Sequence, residues 1–146
     1  MKRSIHYTAI ELFPLTTVEA AQLNYCEQLG HPSYQPLFEK LHQCEWEKEI
    51  VISPYFIFRK TKCDLADFTN DQLFELVYFD AFAPAAQPEL WTQEIFEKLF
   101  RRMSDEGILV TYCSKGDVRR AMRNAGFIVE KLPGPPGKRE MIRANR

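Results

Sequence analysis

Three short apolar runs in this sequence each end at an acidic residue, and this pattern constrains the fold more than any other feature. The acidic residues are Glu11, Asp64 and Asp80. A short apolar run bounded by a loop predicts a buried strand, and open α/β sheets bind ligands at the carboxyl ends of their strands. We therefore expect ligand-binding carboxylates at a sheet edge. The alternatives are that a helix dipole favours Glu11 and that Asp80 is a helix-capping or turn carboxylate.

Strand-like and helix-like runs alternate along the chain. Strands are predicted at 4–10, 55–63, 74–79, 108–113, 127–132 and 138–144, and helices at 17–30, 37–41, 88–103 and 115–124. The mixed polarity of the second strand suits an outer position, and the last two strands are close enough in sequence to pair antiparallel. The pattern predicts one three-layer α/β domain over residues 1–146, with a mostly parallel sheet and a C-terminal antiparallel hairpin.

Charge is distributed unevenly between the two parts of the chain. Residues 1–97 contain 7 Lys and Arg against 15 Asp and Glu, whereas residues 98–146 contain 12 against 5. A basic C-terminal part can contact phosphates. The alternative is a set of solvated helix faces.

Several classes of protein and site are disfavoured by the sequence. No apolar run approaches the roughly 18 residues of a membrane span, and the N-terminus lacks the apolar segment of a secretory signal, so we expect a cytoplasmic location. The four cysteines form no CxxC pair, which predicts structural thiols and no metal site. His31 and His42 lack ligand partners at metal-binding spacing, so we expect them to pack or to face solvent.

A set of short motifs extends over nearly the whole chain and resembles the methyltransferase domain of the MnmC family. The motifs are Tyr7-Thr-Ala-Ile-Glu11-Leu-Phe-Pro14, Asp80-Ala-Phe-Ala-Pro84, Pro88-Glu-Leu-Trp91-Thr92, Thr111-Tyr112, Val118-Arg-Arg-Ala121, Ala125-Gly-Phe127 and Gly137-Lys-Arg-Glu-Met141. The resemblance implies a Rossmann-like sheet and S-adenosylmethionine-dependent methylation of the aminomethyl group of 5-aminomethyl-2-thiouridine, in the tRNA anticodon loop.

The resemblance also implies roles for particular residues. In such folds the acid after the second strand binds ribose and the acid after the third binds the adenine amine, which here correspond to Glu11 and Asp64. Leu65 and Phe79 are further expected cofactor contacts. Asp80 is the expected catalytic residue, which would hold the substrate amine and accept its proton.

Five residues are expected to bind the tRNA. They are Phe82, Pro84, Trp91, Lys138 and Arg139. Phe82 and Trp91 are candidates to stack on a splayed base, although Trp91 also belongs to an apolar stripe with Ile95, Leu99 and Met103 that predicts a core position. Lys138 and Arg139 are candidates to contact phosphates, with an ion pair to Glu140 or to a neighbouring acid as the alternative.

The sequence departs from the family pattern at three places in its loops. Gln87 stands where the family usually has Asn, Cys113 where Ser is common, and Pro135-Pro136 where the loop usually carries an aromatic residue or glycine. These differences affect the expected shapes of the loops.

The larger departure is that no glycine-rich loop precedes Glu11, although such a loop cradles the methionine part of the cofactor in this fold. The first, central strand is therefore expected to be missing, with Met1 not the natural start. The rival hypothesis to an enzyme is a non-catalytic fragment or subunit that acts through a partner chain completing the sheet, or through self-association. A nicotinamide-dependent oxidoreductase is a third alternative, which the terminal hairpin does not suit.

Overall fold

The computed structural model describes residues 3–146, so the expectation about Met1 lies outside the described residues. The chain divides after Phe68 into two compact units. We call them the N-terminal unit and the C-terminal unit and describe each by itself. The expectation of a single domain stays a prediction.

The N-terminal unit contains a three-stranded sheet and three short helices. Its elements are β1 (Ile5–Ile10), α1 (Thr17–Ala21), α2 (Tyr25–Gln28), a 3₁₀ helix (Pro32–Tyr34), α3 (Gln35–Gln43), β2 (Glu49–Ser53) and β3 (Phe56–Thr61). The strand order is β1-β3-β2, with β1 parallel and β2 antiparallel to β3. The helix predicted at 17–30 is two helices, and Thr16 caps the first of them through a capping box with Glu19.

Strand β3 lies at the centre of its sheet, so the prediction of an outer position was wrong, and β2 was not predicted. The mixed polarity is tolerated because the buried Lys60 is satisfied inside the unit. Its ammonium lies 4.5 Å from the centroid of the Trp46 ring and donates to the His42 carbonyl at 2.6 Å. A buried cation that is paired in this way avoids most of the cost of desolvation.

The C-terminal unit contains a four-stranded sheet and two α-helices of nine residues each. Its elements are β4 (Phe74–Phe79), a 3₁₀ helix (Pro88–Trp91), α4 (Gln93–Arg101), β5 (Met103–Thr111), α5 (Gly116–Asn124), β6 (Ile128–Pro133) and β7 (Glu140–Asn145). The strand order is β4-β5-β7-β6. Strands β4 and β5 are parallel, and β7 is antiparallel to both β5 and β6. The predicted C-terminal hairpin is therefore confirmed.

The helix predicted at 88–103 is shorter than expected, although its apolar stripe is buried. The Thr92 hydroxyl accepts a hydrogen bond from the Ile95 amide at 3.4 Å and starts α4 there, so Trp91 precedes the helix. Met103 already belongs to β5. Trp91, Ile95, Leu99 and Met103 are all at most 9% exposed. Burial follows the apolar pattern even though the stripe is not a single helix.

The α/β class and its Rossmann-like character are confirmed, and the strand pairing differs in detail from the expected sheet. The strands lie in two sheets, and three of the five pairings are antiparallel where a mostly parallel sheet was predicted. Within residues 3–146, β1 pairs only with β3 and β4 only with β5. The edge strands are therefore β1 and β2 in one sheet and β4 and β6 in the other.

Candidate active site

Asp80 directly follows β4 at the carboxyl edge of the C-terminal sheet. Phe79 is the last residue of β4 and is buried, whereas Asp80 is exposed. Phe79 is in register with Thr111 at the end of the parallel strand β5, so Tyr112 follows β5 at the same edge. The Asp80 carboxylate accepts no hydrogen bond and forms no ion pair within residues 3–146, which excludes the alternative that it caps a turn. Its acceptor capacity is available to a ligand.

The loop that follows Asp80 is held by two side-chain donors on consecutive carbonyls. The Tyr112 hydroxyl donates to the Ala81 carbonyl at 2.8 Å, and the Trp91 indole N–H donates to the Phe82 carbonyl at 2.7 Å. The Gln87 amide oxygen accepts from the Phe82 amide at 3.3 Å. Gln87, a departure from the family pattern, therefore closes the loop from its far end.

An aromatic cluster packs on the buried side of this loop. The centroid of the Trp91 ring lies 5.0 Å from that of Phe79, 6.5 Å from that of Phe96 and 6.0 Å from that of Tyr112, and each pair of rings is arranged edge to face. Trp91 is 6% exposed, so its ring faces the core and is closed to a stacking base. Its position agrees with the alternative that Trp91 is a core residue, and its polar atom holds the loop.

Phe82 lies on the outside of the same loop. Its side chain is 73% exposed, and Pro84 is half-buried. The ring is accessible to a ligand, although other large apolar side chains such as Phe13, at 74%, are equally exposed. Phe82 is thus free to stack on a base, whereas Trp91 is not.

Lys138 and Arg139 lie in the loop between β6 and β7, and both are exposed. The Lys138 ammonium lies 4.2 Å from the centroid of the Tyr112 ring. Neither side chain forms an ion pair with any described residue, because the Glu140 carboxylate is taken by Lys131 at 2.9 Å. The ion-pair alternative for these two cations is therefore not realised. The hydrogen bond from the Lys138 amide to the Pro135 carbonyl closes the loop at 2.9 Å.

Tyr112 was not among the predicted site residues, although the Thr111-Tyr112 motif belonged to the resemblance. The signal for it is its position directly after a strand, as for Asp80. Burial raises the pKa of its hydroxyl above the ordinary value, and the nearby Cys113 and Asp80 raise it further. The phenol therefore keeps its proton at neutral pH and remains a donor to the Ala81 carbonyl.

Glu11 and Asp64 occupy the carboxyl edge of the N-terminal sheet. Glu11 follows β1, and its amide donates to the Thr61 carbonyl at the end of β3, at 3.1 Å. One oxygen of Glu11 accepts from the Phe13 amide at 2.9 Å, and one oxygen of Asp64 accepts from the Ala66 amide at 2.8 Å. Both carboxylates therefore shape their own turns.

The same edge keeps polar atoms that have no partner in the described part of the chain. The second carboxylate oxygen of Glu11 and that of Asp64 accept no hydrogen bond. The hydroxyl of Thr61 is buried without a partner. Leu65 is half-buried next to Asp64. A buried hydroxyl without a partner is costly, so this edge is suited to a polar ligand.

The predicted site residues thus form one group in each unit. Glu11, Asp64 and Leu65 share an edge of the N-terminal sheet, and the others lie around the end of β4 or on the β6–β7 loop.

Among residues 3–146, no group of three His, Cys, Asp or Glu side chains is arranged to hold a metal ion. Every helix in that range is too short or too polar to be a membrane span.

Gly134 lets the β6–β7 loop turn closely enough to present Lys138. A Cβ at Gly134 would lie 2.3 Å from the Lys138 carbonyl oxygen. Because that contact is with backbone, we expect Gly134→Ala to force the loop apart and to destabilise the protein by about 1–3 kcal/mol, measured by urea unfolding. Gly116→Ala is the matched control, since its nearest atom is a side chain at 3.7 Å. Equal unfolding midpoints for Gly134→Ala and the wild type would contradict this packing.

Comparison with known proteins identifies a family and similar folds. Residues 34–146 match the family described as S-adenosyl-L-methionine-dependent methyltransferase. The crystal structure of MNMC2 from Aquifex aeolicus has a TM-score of 0.73 at 22% identity and covers 97% of this chain. This chain spans only 43% of that protein. The N-methyltransferase NodS from Bradyrhizobium japonicum has a TM-score of 0.51 at 11% identity, with 94% of this chain and 70% of that protein covered.

Proposed function

Because this chain belongs to the S-adenosyl-L-methionine-dependent methyltransferase family, we propose that it methylates the aminomethyl group of 5-aminomethyl-2-thiouridine at the wobble position of tRNA. Its cofactor is S-adenosylmethionine. The observation that carries the proposed substrate is the set of side chains near the carboxyl end of β4. Asp80 supplies a carboxylate without a partner, Phe82 an exposed aromatic ring and Lys138 a cation without an ion pair. An amine, a splayed base and a phosphate are the groups that these three side chains bind best.

The N-terminal sheet edge fits part of the cofactor. Glu11 and Asp64 each keep one carboxylate oxygen for a hydroxyl or an amine, and the Thr61 hydroxyl lacks a partner. We assign the ribose hydroxyls to Glu11 and the adenine amine to Asp64, with Leu65 as an apolar contact. Phe79, the other expected cofactor contact, is 5% exposed and packs against Trp91 and Phe96, so it supports the loop after Asp80 from the core. S-adenosylmethionine supplies a methyl group on a sulfonium sulfur, which is open to attack by a neutral amine.

Asp80 provides the acid–base chemistry in this proposal. A protonated amine has no lone pair for displacement, so the amine must be delivered neutral and aligned with the methyl group. The Asp80 carboxylate accepts a hydrogen bond from the amine and takes the proton that the nitrogen loses as it gains the methyl group. The carbon–sulfur bond breaks as the carbon–nitrogen bond forms, and the thioether leaves.

The tRNA contacts follow from the surface around Asp80. Phe82 stacks on the extruded wobble base, and Pro84 stiffens the loop that carries it. Lys138 and Arg139 meet backbone phosphates of the anticodon loop, in the part of the chain that holds 12 Lys and Arg against 5 Asp and Glu. The family resemblance and the fold shared with MNMC2 from Aquifex aeolicus support this substrate, which also implies a cytoplasmic location.

A second candidate function is supported by the open edges of β1 and β4. Leu76 and Tyr78 on β4 are 45% and 63% exposed, and the strand carries only Glu75 as a charge. Unprotected apolar edges of this kind tend to pair with another strand. The second candidate is a non-catalytic subunit or an incomplete domain that acts through a partner chain or through self-association.

Titration calorimetry and a methyl-transfer assay distinguish the two candidates. For the enzyme we expect binding of S-adenosylmethionine in the micromolar range, and transfer of labelled methyl to tRNA that carries the aminomethyl group. A tRNA without that group should receive no label. Absence of both binding and transfer in the full chain would favour the subunit.

The phosphate role of Arg139 predicts a specific change in salt dependence. Because each phosphate contact on a single strand contributes about 0.7 to the slope of log K against log salt, Arg139→Gln should lower that slope by roughly this amount. Binding of an anticodon stem-loop is measured by fluorescence anisotropy at several salt concentrations. Arg101→Gln is the control, since Arg101 lies on α4 with Glu97 at 3.9 Å. Equal slopes for the two variants would remove Arg139 from the interface.

A further inference from the structure

We infer that Tyr112 is a positioning residue, whose hydroxyl fixes the backbone next to Asp80 and whose ring fixes the ammonium of Lys138. Its relevance to catalysis rests on the proposed methyl transfer. The claim about positioning stands on geometry within the C-terminal unit. Tyr112 itself touches neither the reacting amine nor the methyl group in this proposal.

Asp80 needs such a support because its own side chain is not held. The carboxylate accepts no hydrogen bond from any described residue, so its position depends on the backbone that carries it. The adjacent residue, Ala81, offers its carbonyl to the Tyr112 hydroxyl at 2.8 Å. This bond ties the Ala81–Phe82 peptide to the end of β5, which is the neighbouring parallel strand.

The ring of Tyr112 serves a different group. Lys138 comes from the β6–β7 loop, and its ammonium lies 4.2 Å from the ring centroid with no ion pair to any described acid. A cation over an aromatic face is held by the ring quadrupole while its outer side stays open to an anion. The hydroxyl and the ring of Tyr112 thus connect the loop of the catalytic carboxylate with a phosphate-binding cation.

The loop has a second clamp, which makes the inference testable without loss of the fold. The Trp91 indole holds the next carbonyl, that of Phe82, at 2.7 Å. Removing the Tyr112 hydroxyl alone leaves this bond and the edge-to-face contact between the two rings in place. Tyr112→Phe is therefore expected to fold with a looser segment around Ala81.

The experiment compares four variants of the full chain, with Lys138→Gln as the reference for loss of the cation. Tyr112→Phe removes the hydroxyl and keeps the ring, and Tyr112→Leu removes both. Tyr78→Phe is the control, because the Tyr78 hydroxyl on β4 is exposed and makes no hydrogen bond to a described residue. Hydrogen–deuterium exchange of the segment 81–87 measures the loop, and kcat, KM for tRNA and the salt slope measure function.

The expected results distinguish the role of the Tyr112 hydroxyl from that of its ring. In Tyr112→Phe, exchange of residues 81–87 should be about five- to tenfold faster, and kcat about tenfold lower with KM for tRNA unchanged. In Tyr112→Leu, KM for tRNA should also rise and the salt slope should fall, as in Lys138→Gln. Tyr78→Phe should match the wild type in every measurement.

The exchange measurement decides the inference whether or not the wild type transfers methyl groups. Unchanged exchange of residues 81–87 in Tyr112→Phe would overturn it. A kcat equal to that of an active wild type would also overturn the catalytic part. Absence of transfer by the wild type, with faster exchange in Tyr112→Phe, would count against the proposed function and leave the positioning role supported.

Discussion

Replacing Asp80 by Asn is expected to lower the rate of methyl transfer by about 10²- to 10⁴-fold. Asn has nearly the shape of Asp and can still accept a hydrogen bond from the amine, so tRNA affinity should change little. It cannot take a proton at neutral pH, so the proton that the nitrogen loses as it gains the methyl group has no acceptor at this position. Single-turnover transfer of labelled methyl to tRNA, with enzyme in excess, measures this step directly.

A matched control separates the chemistry of Asp80 from a general loss of charge. Asp71 is also exposed, precedes β4 instead of following it, and makes no hydrogen bond to a described residue through its side chain. Asp71→Asn should therefore retain the wild-type rate. If Asp80→Asn and Asp71→Asn both react at the wild-type rate, Asp80 has no role in the mechanism and the substrate amine must lose its proton elsewhere.

Asp80 was predicted from the sequence because a strand end followed by an acid has a local signature. Tyr112 has the same local position, at the end of β5, yet it carries no acid to mark it. Its role depends on β5 being the parallel neighbour of β4, which places Thr111 opposite Phe79. That adjacency is a property of the sheet and not of either strand alone, so only the structure brings Tyr112 to the Ala81 carbonyl.

The wrong prediction of an outer position for β3 has a similar explanation. Its Lys60 and Arg59 suggested an outer strand, because charged residues rarely enter a sheet centre. The structure satisfies Lys60 with the Trp46 ring and the His42 carbonyl, both from the segment before β2. No local pattern announces that a segment some distance away will supply a partner for a buried cation.

The predicted limits of the helix at 88–103 were wrong because a capping residue, and not the apolar periodicity, determines where the helix starts. The stripe of Trp91, Ile95, Leu99 and Met103 suggested one helix, and all four side chains are indeed buried. The Thr92 hydroxyl caps a new helix at Gln93, however, and α4 ends at Arg101. Periodicity predicted which residues enter the core, whereas the cap determined where the helix starts.

The open edge at β4 can be compared with the other edge of the same sheet. Strand β6 carries Glu130, Lys131 and a terminal Pro133, which are features that discourage pairing with another strand. Strand β4 has only Glu75 among five apolar or aromatic residues. The contrast within one sheet indicates that another strand would pair more readily with β4 than with β6.

Phe96→Ala is expected to destabilise the protein by about 3–5 kcal/mol, because it removes a fully buried ring from the aromatic cluster. Phe96 has no exposed surface, and its ring lies 5.5 Å from Phe79 and 6.5 Å from Trp91. The remaining side chains can fill such a cavity only in part. Urea unfolding followed by circular dichroism measures the free energy of unfolding.

The effect should also reach the loop after Asp80, because Trp91 packs against Phe96 and holds the Phe82 carbonyl. The control is the same substitution at Phe82, which is 73% exposed. Phe82→Ala should change stability by no more than about 0.5 kcal/mol and should weaken tRNA binding through loss of stacking. If Phe82→Ala destabilised the protein as much as Phe96→Ala, Phe82 would have to be a packing residue, and the proposed stacking on the wobble base would lose its support.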